Sequence, residues 1–161
     1  MSTGTRSGRP VHVLGGDLTI KISSRETNGA FAVFEGCTLP LEGPPLHRHR
    51  DHDEWWYIVE GEYRFEVDGK EIFASAGDTV FAPRGSRHTF QNVGNGRGRT
   101  IGTAVPGGLD LFFEELEQVA PRGTAPDRAK LQPIFEKHGN ELLGPPLRAR
   151  SEVNASDTSL T

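Results

Sequence analysis

The sequence is poor in cysteine and has no excess of positive charge. It contains one cysteine, Cys37, among 161 residues, so no intrachain disulfide can form, which agrees with a reducing compartment. Cys37 lies in a strand-like apolar run, where a free cysteine usually packs as a small hydrophobic residue. The 18 lysines and arginines stand against 22 acidic residues and give a net charge of -4, which argues against a nucleic-acid partner.

Long hydrophobic runs are missing as well. No stretch approaches the ~20 apolar residues that a membrane-spanning helix needs. The first ten residues, MSTGTRSGRP, also lack the apolar segment of a secretory signal. We therefore expect a cytoplasmic protein with no membrane partner. The length of 161 residues predicts a single domain.

Both ends of the chain are polar. Residues 1–10 and 148–161 are dominated by Ser, Thr, Gly, Arg and acidic residues. Such segments bury too little apolar surface to offset the entropy lost on ordering, so the sequence predicts flexible tails at both ends. The domain between them is expected to cover residues 11–147, with a β core at about 11–105 and a helical extension at 106–147.

The segment from residue 11 to residue 105 is typical of an all-β protein. Short alternating or apolar runs are separated by Gly, Pro, Asp and Asn. Hairpin turns are indicated at Glu60-Gly61-Glu62 and Asp68-Gly69, where glycine permits positive φ. Short strands with regular turns predict an antiparallel barrel or jelly roll, which leaves no exposed sheet edges. The predicted strands are 18–22, 30–38, 54–60, 63–67, 71–74, 79–82, 87–92 and 99–105.

After residue 105 the pattern changes to that of helices. The segment LDLFFEELEQVA, residues 109–120, has apolar residues at helical spacing. A second helix is predicted over 127–138, ending before Gly139, and Pro133 is expected to kink or delay it. These helices are expected to cover one end of the barrel or to pack against a partner subunit.

Three histidines and a glutamate have the spacing of metal ligands. His47 and His49 are two residues apart, so on an extended strand both imidazoles project from the same face. The polar segment 50–53 predicts a turn, after which Glu54 begins the next strand. His88 follows another turn and enters the same interior from a third strand.

These four residues offer three neutral imidazoles and one carboxylate. Such a ligand set suits a divalent transition metal and does not suit Ca²⁺ or Mg²⁺. A six-coordinate ion held in this way keeps two positions for water, O₂ or a chelating substrate, as catalysis requires. Without a metal, the inward polar groups would be buried without partners. We predict one divalent ion per chain, with Fe, Ni or Mn favoured and Co, Cu or Zn as alternatives.

Several aromatic residues have the parity of inward-facing positions. A small barrel uses such residues both to fill its core and to line a cavity. We therefore consider four of them as candidates for a substrate pocket. For the other histidines, His12, His52 and His138, solvation or helix capping is favoured over metal ligation. The pocket candidates are Trp56, Tyr63, Phe65 and Phe90.

The same residues resemble the two sequence motifs of the cupins. Gly43 is separated from His47 by three residues rather than the usual five, a departure outside the ligand set. The resemblance implies a single-domain cupin jelly-roll barrel with one or two C-terminal helices. It also implies that His47, His49, Glu54 and His88 bind the metal, and that Glu54 is ligand and catalytic base together. The first motif reads Gly43, His47-x-His49, four residues, Glu54, six residues and Gly61; the second reads Gly77, five residues, Pro83-x-Gly85, two residues, His88, three residues and Asn92.

Among cupins, the sequence resembles the single-domain, quercetin 2,3-dioxygenase-like proteins of bacteria. The ligand spacing, the aromatic-rich strand, the C-terminal helix and the closing GPPL at 144–147 carry this resemblance. It implies a metal-dependent dioxygenase that acts with O₂ on a flavonol or an aromatic, polyketide-like enol.

Two other functions stay open at this point. One is a non-redox metal-dependent isomerase, cyclase, lyase or decarboxylase of a small natural product or sugar, because the same ligands serve that chemistry. The other is a cupin that binds a small molecule without turnover. Cupins commonly dimerise, so the resemblance also implies a homodimer, with residues 11–22 and the helix at 112–119 as interface elements.

Overall fold

The structure, a computed structural model, describes residues 7–123 and 127–148. These residues form eleven strands and two helices, and the predicted all-β class with C-terminal helices is confirmed. The strands are β1 (Arg9–Val13), β2 (Gly16–Ile22), β3 (Ala32–Thr38), β4 (Pro45–His49), β5 (Asp53–Glu60), β6 (Glu62–Val67), β7 (Lys70–Ser75), β8 (Thr79–Ala82), β9 (Arg87–Asn92), β10 (Gly98–Val105) and β11 (Asn140–Pro146).

The described strands are arranged in two antiparallel sheets. The six-stranded sheet has the order β1-β2-β3-β10-β5-β8, and the five-stranded sheet has the order β11-β4-β9-β6-β7. Side chains of the two sheets meet in the interior. The ring centre of Trp56 on β5 lies 5.3 Å from that of Phe65 on β6 and 6.0 Å from that of Phe90 on β9. The sheets therefore pack face to face as a jelly roll, with the core between them.

The eight predicted strands correspond to β2, β3 and β5 to β10, with ends that agree within two residues. Three further strands, β1, β4 and β11, complete the sheets. Strand β1 begins at Arg9 and pairs with β2, where Val11 lies opposite Leu18. Residues 1–6 and 149–161, which hold most of the two predicted tails, lie outside the described residues.

Both predicted helices are present, as α1 (Leu109–Val119) and α2 (Arg128–Lys137). The side chain of Asp127 caps α2 by accepting a hydrogen bond of 3.0 Å from the backbone N–H of Ala129. Pro133 lies inside α2 and does not delay its start. No helix in the described parts of the chain is long and apolar enough to cross a membrane.

Helix α1 packs against its own barrel. Its residues Phe112 and Leu116 are buried, and the ring of Phe112 lies 4.9 Å from the ring of Phe135 on α2, centre to centre. The carboxylate of Glu117 accepts a 2.9 Å hydrogen bond from the backbone N–H of His12, on the edge strand β1. The helices thus cover one end of the barrel, and α1 protects a sheet edge. The predicted homodimer stays a prediction.

Candidate metal centre

Three strands bring the predicted metal ligands together. His47 and His49 lie on β4, Glu54 is the second residue of β5, and His88 is the second residue of β9. In the pairing of β4 with β9, His47 lies directly opposite His88, so their side chains share the inner face. Since β5 belongs to the other sheet, Glu54 approaches the histidines from across the barrel.

The donor atoms of these four residues converge on one point. One ligand atom of each residue lies within 4.8 Å of those of the other three. The imidazole centres of His47 and His88 are 4.4 Å apart, and those of His49 and His88 are 5.2 Å apart. His49 and His88 are 2% exposed, Glu54 is 6% exposed and His47 is half-buried, so most of the cluster is shielded from solvent.

Each of the three imidazoles has an acceptor at Nδ1. An oxygen at this position holds the proton on Nδ1, which leaves the lone pair of Nε2 directed at the common centre. This tautomer is the one that a metal ion needs. The acceptors are Pro45 O for His47 at 2.7 Å, Asn140 Oδ1 for His49 at 2.8 Å and Ser86 O for His88 at 3.1 Å.

The centre of the cluster contains buried polar atoms without partners. Glu54 Oε2 lies 3.2 Å from His49 Nε2 and 3.3 Å from His88 Nε2. Among the described residues, neither Glu54 Oε2 nor His88 Nε2 has a hydrogen-bond partner. Orphaned buried groups are costly, and one cation at this point would engage both. Imidazole nitrogens with a carboxylate oxygen fit a divalent transition metal.

The electrostatics of the cluster favour the forms that bind metal. Desolvation, with repulsion from His88 and His49, holds the pKa of His47 well below its ordinary value. At neutral pH His47 is therefore neutral, as metal binding requires.

A mainly apolar cavity of about 100 Å³ adjoins the cluster. Two predicted pocket residues, Trp56 and Phe90, lie on its wall, and the Trp56 ring is 5.6 Å from the His88 ring, centre to centre. The other two, Tyr63 and Phe65, do not line it. They are 1% and 0% exposed and belong to the core cluster beyond the cavity.

Other parts of the cavity wall come from residues that the sequence did not single out as a pocket. Leu18 and Phe34 contribute from β2 and β3, and Phe112, Leu116 and Phe135 form a roof from the two helices. Helical periodicity indicates that Phe112 and Leu116 face inward, but it does not show which part of the barrel they meet. Among the described lining residues there is no lysine or arginine, and the acidic ones are Asp17 and Glu54.

The remaining histidines lie outside the cluster. His52 is 9% exposed, its Nδ1 lies 2.8 Å from Pro106 O, and its ring centre is 6.3 Å from that of His49. His12 Nδ1 lies 3.0 Å from the carboxylate of Asp17. His138 is the C-cap residue of α2. In residues 7–123 and 127–148, the potential metal-binding group consists of His47, His49, Glu54 and His88.

Comparison with known proteins agrees with this arrangement. A family model described as "Cupin domain" matches residues 37–102. The chain is 30% identical over 117 residues to quercetin 2,3-dioxygenase of Bacillus subtilis (strain 168), a match that covers 68% of this chain and 33% of that protein. It is 32% identical over 125 residues to "Polyketide synthase CurC" of Streptomyces cyaneus, covering 76% of this chain and 79% of that protein.

A solved structure supports the fold. The crystal structure of a predicted oxalate decarboxylase from Thermotoga maritima matches with a TM-score of 0.59 and 24% identity, covering 66% of this chain and 99% of that one. At this identity the likeness concerns the fold alone.

Proposed function

The chain belongs to the cupin superfamily, and on that premise we propose that it is a metal-dependent dioxygenase acting with O₂ on an aromatic enol. Flavonols and aromatic polyketides are the substrate classes that fit. The observation that carries the proposal is a largely buried cluster of three imidazoles and one carboxylate beside a cavity with aromatic walls. The likeness to quercetin 2,3-dioxygenase supports it, although the chain covers only a third of that protein.

Each residue of the cluster has a role in this proposal. His47, His49, Glu54 and His88 hold the ion. A bound divalent metal supplies Lewis acidity to an enolate or phenolate oxygen and a redox centre for the reaction with O₂. Glu54 accepts the proton of the substrate hydroxyl on its carboxylate, while Trp56 and Phe90 contact the ring and exclude water.

The wall of the cavity favours an uncharged substrate body. No lysine or arginine lines it among the described residues, and of its two carboxylates that of Asp17 is paired with Arg122 and His12. A neutral molecule with one hydroxyl beside a carbonyl can chelate an ion and bury its rings against the apolar wall.

The cavity is small for a substrate with several rings. Its volume of about 100 Å³ is below the range of about 300–1,000 Å³ that is usual for ligand sites. A substrate with three rings therefore requires the cavity to widen, and we expect the roof to provide this movement. Phe112, Leu116 and Phe135 belong to the two C-terminal helices and form this roof.

Oxygen uptake tests the proposal. Protein loaded separately with Fe²⁺, Ni²⁺ or Mn²⁺ is mixed in an oxygen electrode with flavonols and with neutral aromatic enols. We expect at least one pairing to consume O₂ and substrate together, and metal-free protein to consume neither. No uptake with any pairing would contradict the proposal.

A second candidate is a non-redox metal-dependent cyclase, isomerase, lyase or decarboxylase of a small natural product. The match to CurC, which is named as a polyketide synthase, supports this candidate. The chain covers 79% of CurC but only 33% of quercetin 2,3-dioxygenase. The two candidates differ in their need for O₂. Product formed by the metal-loaded protein under strict anaerobiosis, detected by mass spectrometry, would select the non-redox reaction.

A further inference from the structure

Asn140, on β11, is joined to the metal cluster although it lies outside both sequence motifs. It is 0% exposed, and its Oδ1 accepts a 2.8 Å hydrogen bond from Nδ1 of His49, 91 positions away in sequence. His47 and His88 are oriented instead by backbone carbonyls two residues before each of them. The orientation of His49 therefore depends on a side chain that one substitution can remove.

We propose that Asn140 is a positioning residue, which holds His49 as the Nδ1–H tautomer with Nε2 facing the other three donors. A neutral imidazole has one N–H and one lone pair. With an acceptor at Nδ1, the lone pair lies on Nε2, the atom 3.2 Å from Glu54 Oε2. This inference rests on the proposed metal site and extends it to a residue that is not itself a ligand.

The pairing of β11 with β4 determines which way Asn140 faces. Asn140 lies opposite His49, and Glu141 lies opposite Arg48. Directly opposed residues of an antiparallel pair share a face, so the amide points toward the imidazole. A slip of one residue would turn it to the outer face.

Ion pairs on the outer face hold this register. Glu141 pairs with Arg48 and, at 2.9 Å, with Nε of Arg50. The backbone N–H of Arg50 donates a 3.0 Å hydrogen bond to Gly139 O. These contacts lie close to the hydrogen bond between Asn140 and His49. They therefore fix β11 in the register that directs Asn140 toward the metal cluster.

A purely structural role does not account for asparagine at this position. Its Nδ2 is buried and has no hydrogen-bond partner within residues 7–123 and 127–148. An unpaired buried amide lowers stability, and leucine would fill similar space without that loss. Retaining the amide is explained if its oxygen serves His49.

Metal titration of the full chain tests the proposal. Co²⁺ affinity is measured by competition with a chromophoric chelator for wild type, Asn140→Leu and Asn140→Asp. We expect Asn140→Leu to weaken binding about 10–100-fold, as loss of a partner of a metal-binding histidine typically does. Asn140→Asp keeps an acceptor and should restore most of the affinity. The control is Leu143→Ala, at a side chain 37% exposed on the same strand, which should bind Co²⁺ like wild type.

The tautomer itself gives a second readout that needs no metal. Two-bond ¹H–¹⁵N spectra of the metal-free chain should show a proton on Nδ1 of His49 in wild type and in Asn140→Asp, whether or not Nε2 also carries one beside the Glu54 carboxylate. Full Co²⁺ affinity in Asn140→Leu, or a His49 Nδ1 without a proton in wild type, would overturn the inference. If Asn140→Leu does not fold, the wild-type tautomer decides. Failure of wild type to bind any metal would refute the proposed function, and the tautomer would still test the hydrogen bond.

Discussion

In the proposed reaction, Glu54 combines metal binding and proton transfer in one buried carboxylate. Glu54→Gln keeps a carbonyl oxygen that can bind an ion but removes the base. We expect this variant to keep a measurable share of bound metal and to lose turnover, whereas His49→Ala loses the metal. Metal content after dialysis and oxygen uptake measure the two effects separately.

The matched control for this pair is Glu62→Gln, at an exposed position on β6. It should keep both the metal and the rate. If Glu54→Gln turned over at the wild-type rate, the assignment of Glu54 as the base would be wrong, while its role as a ligand would be judged from the metal content alone.

Tyr63 makes stability sensitive to alkaline pH. Burial raises the pKa of its phenol from 10.0 to about 12, and its oxygen lies 2.6 Å from Thr38 Oγ1. Folding therefore favours the protonated phenol, and this stabilisation is complete below pH 10 and is lost as the pH rises toward 12.

Urea unfolding checks this prediction. Near neutral pH, Tyr63→Phe should lower the free energy of unfolding by about 1 kcal/mol, because the hydrogen bond to Thr38 is lost. Above pH 10, the variant should lose stability less steeply than wild type. Tyr57→Phe, at a side chain 41% exposed, should keep the wild-type slope. Identical slopes for wild type and Tyr63→Phe would contradict the interpretation.

Residue-level prediction from the sequence succeeds where the contact depends on local spacing. Two-residue spacing on a strand is sufficient to put His47 and His49 on one face. The spacing does not show how far along the barrel axis a side chain lies. Trp56 and Tyr63 therefore have the same inward parity, but of these two only Trp56 lines the cavity. Asn140 could not be found in this way, because its contact with His49 depends on the pairing of β11 with β4.

At the scale of elements, Gly43 allows the segment before β4 to approach β9. A Cβ built on Gly43 would lie 1.8 Å from the carbonyl oxygen of Phe90, a contact that forces the backbones apart. We expect Gly43→Ala to lower the free energy of unfolding by about 1–3 kcal/mol, as overpacking does. Chemical denaturation measures this.

The matched control is Gly96→Ala, because a Cβ there meets nothing within 4 Å. Its free energy of unfolding should stay within about 0.5 kcal/mol of wild type. Equal stability of the two variants would mean that the close approach of the chain at Gly43 relaxes without cost.

The helical roof is tested at Phe135. This side chain is 5% exposed, packs on Phe112 and lines the cavity. Phe135→Ala should lower the free energy of unfolding by ~3–5 kcal/mol and enlarge the space above the cluster. If substrates enter beneath α2, the ratio of kcat/KM for three-ring over one-ring enols should rise about tenfold or more. An unchanged ratio would place the entrance elsewhere.

Strands β1 and β11 lack the clear alternation from which the other strands are predicted. Strand β11, NELLGPP, contains a glycine and two prolines, which normally argue against a strand and are tolerated here because β11 is an edge strand. Strand β1 is five residues long and contains Pro10. Both are held by their neighbours in the sheets more than by their own alternation. The strands with clear alternation, such as β5, were predicted within two residues.

On the scale of the whole molecule, the proposed metal site brings together residues of the two sheets. His47, His49 and His88 come from the five-stranded sheet and Glu54 from the six-stranded one. An ion held by all four residues binds the folded chain but not the unfolded chain, in which the four residues are apart. It therefore stabilises the folded state by mass action.

Removing the metal should therefore lower the melting temperature. An ion present at a hundred times its dissociation constant contributes about 2.7 kcal/mol, which for a chain of this size corresponds to roughly 5–10 °C. Differential scanning calorimetry of metal-loaded and chelator-treated protein measures the shift. His49→Ala should show little shift with metal, because the ion loses a ligand at the centre of the cluster. Equal melting temperatures of the loaded and stripped wild type would mean that the four side chains do not join the sheets through an ion.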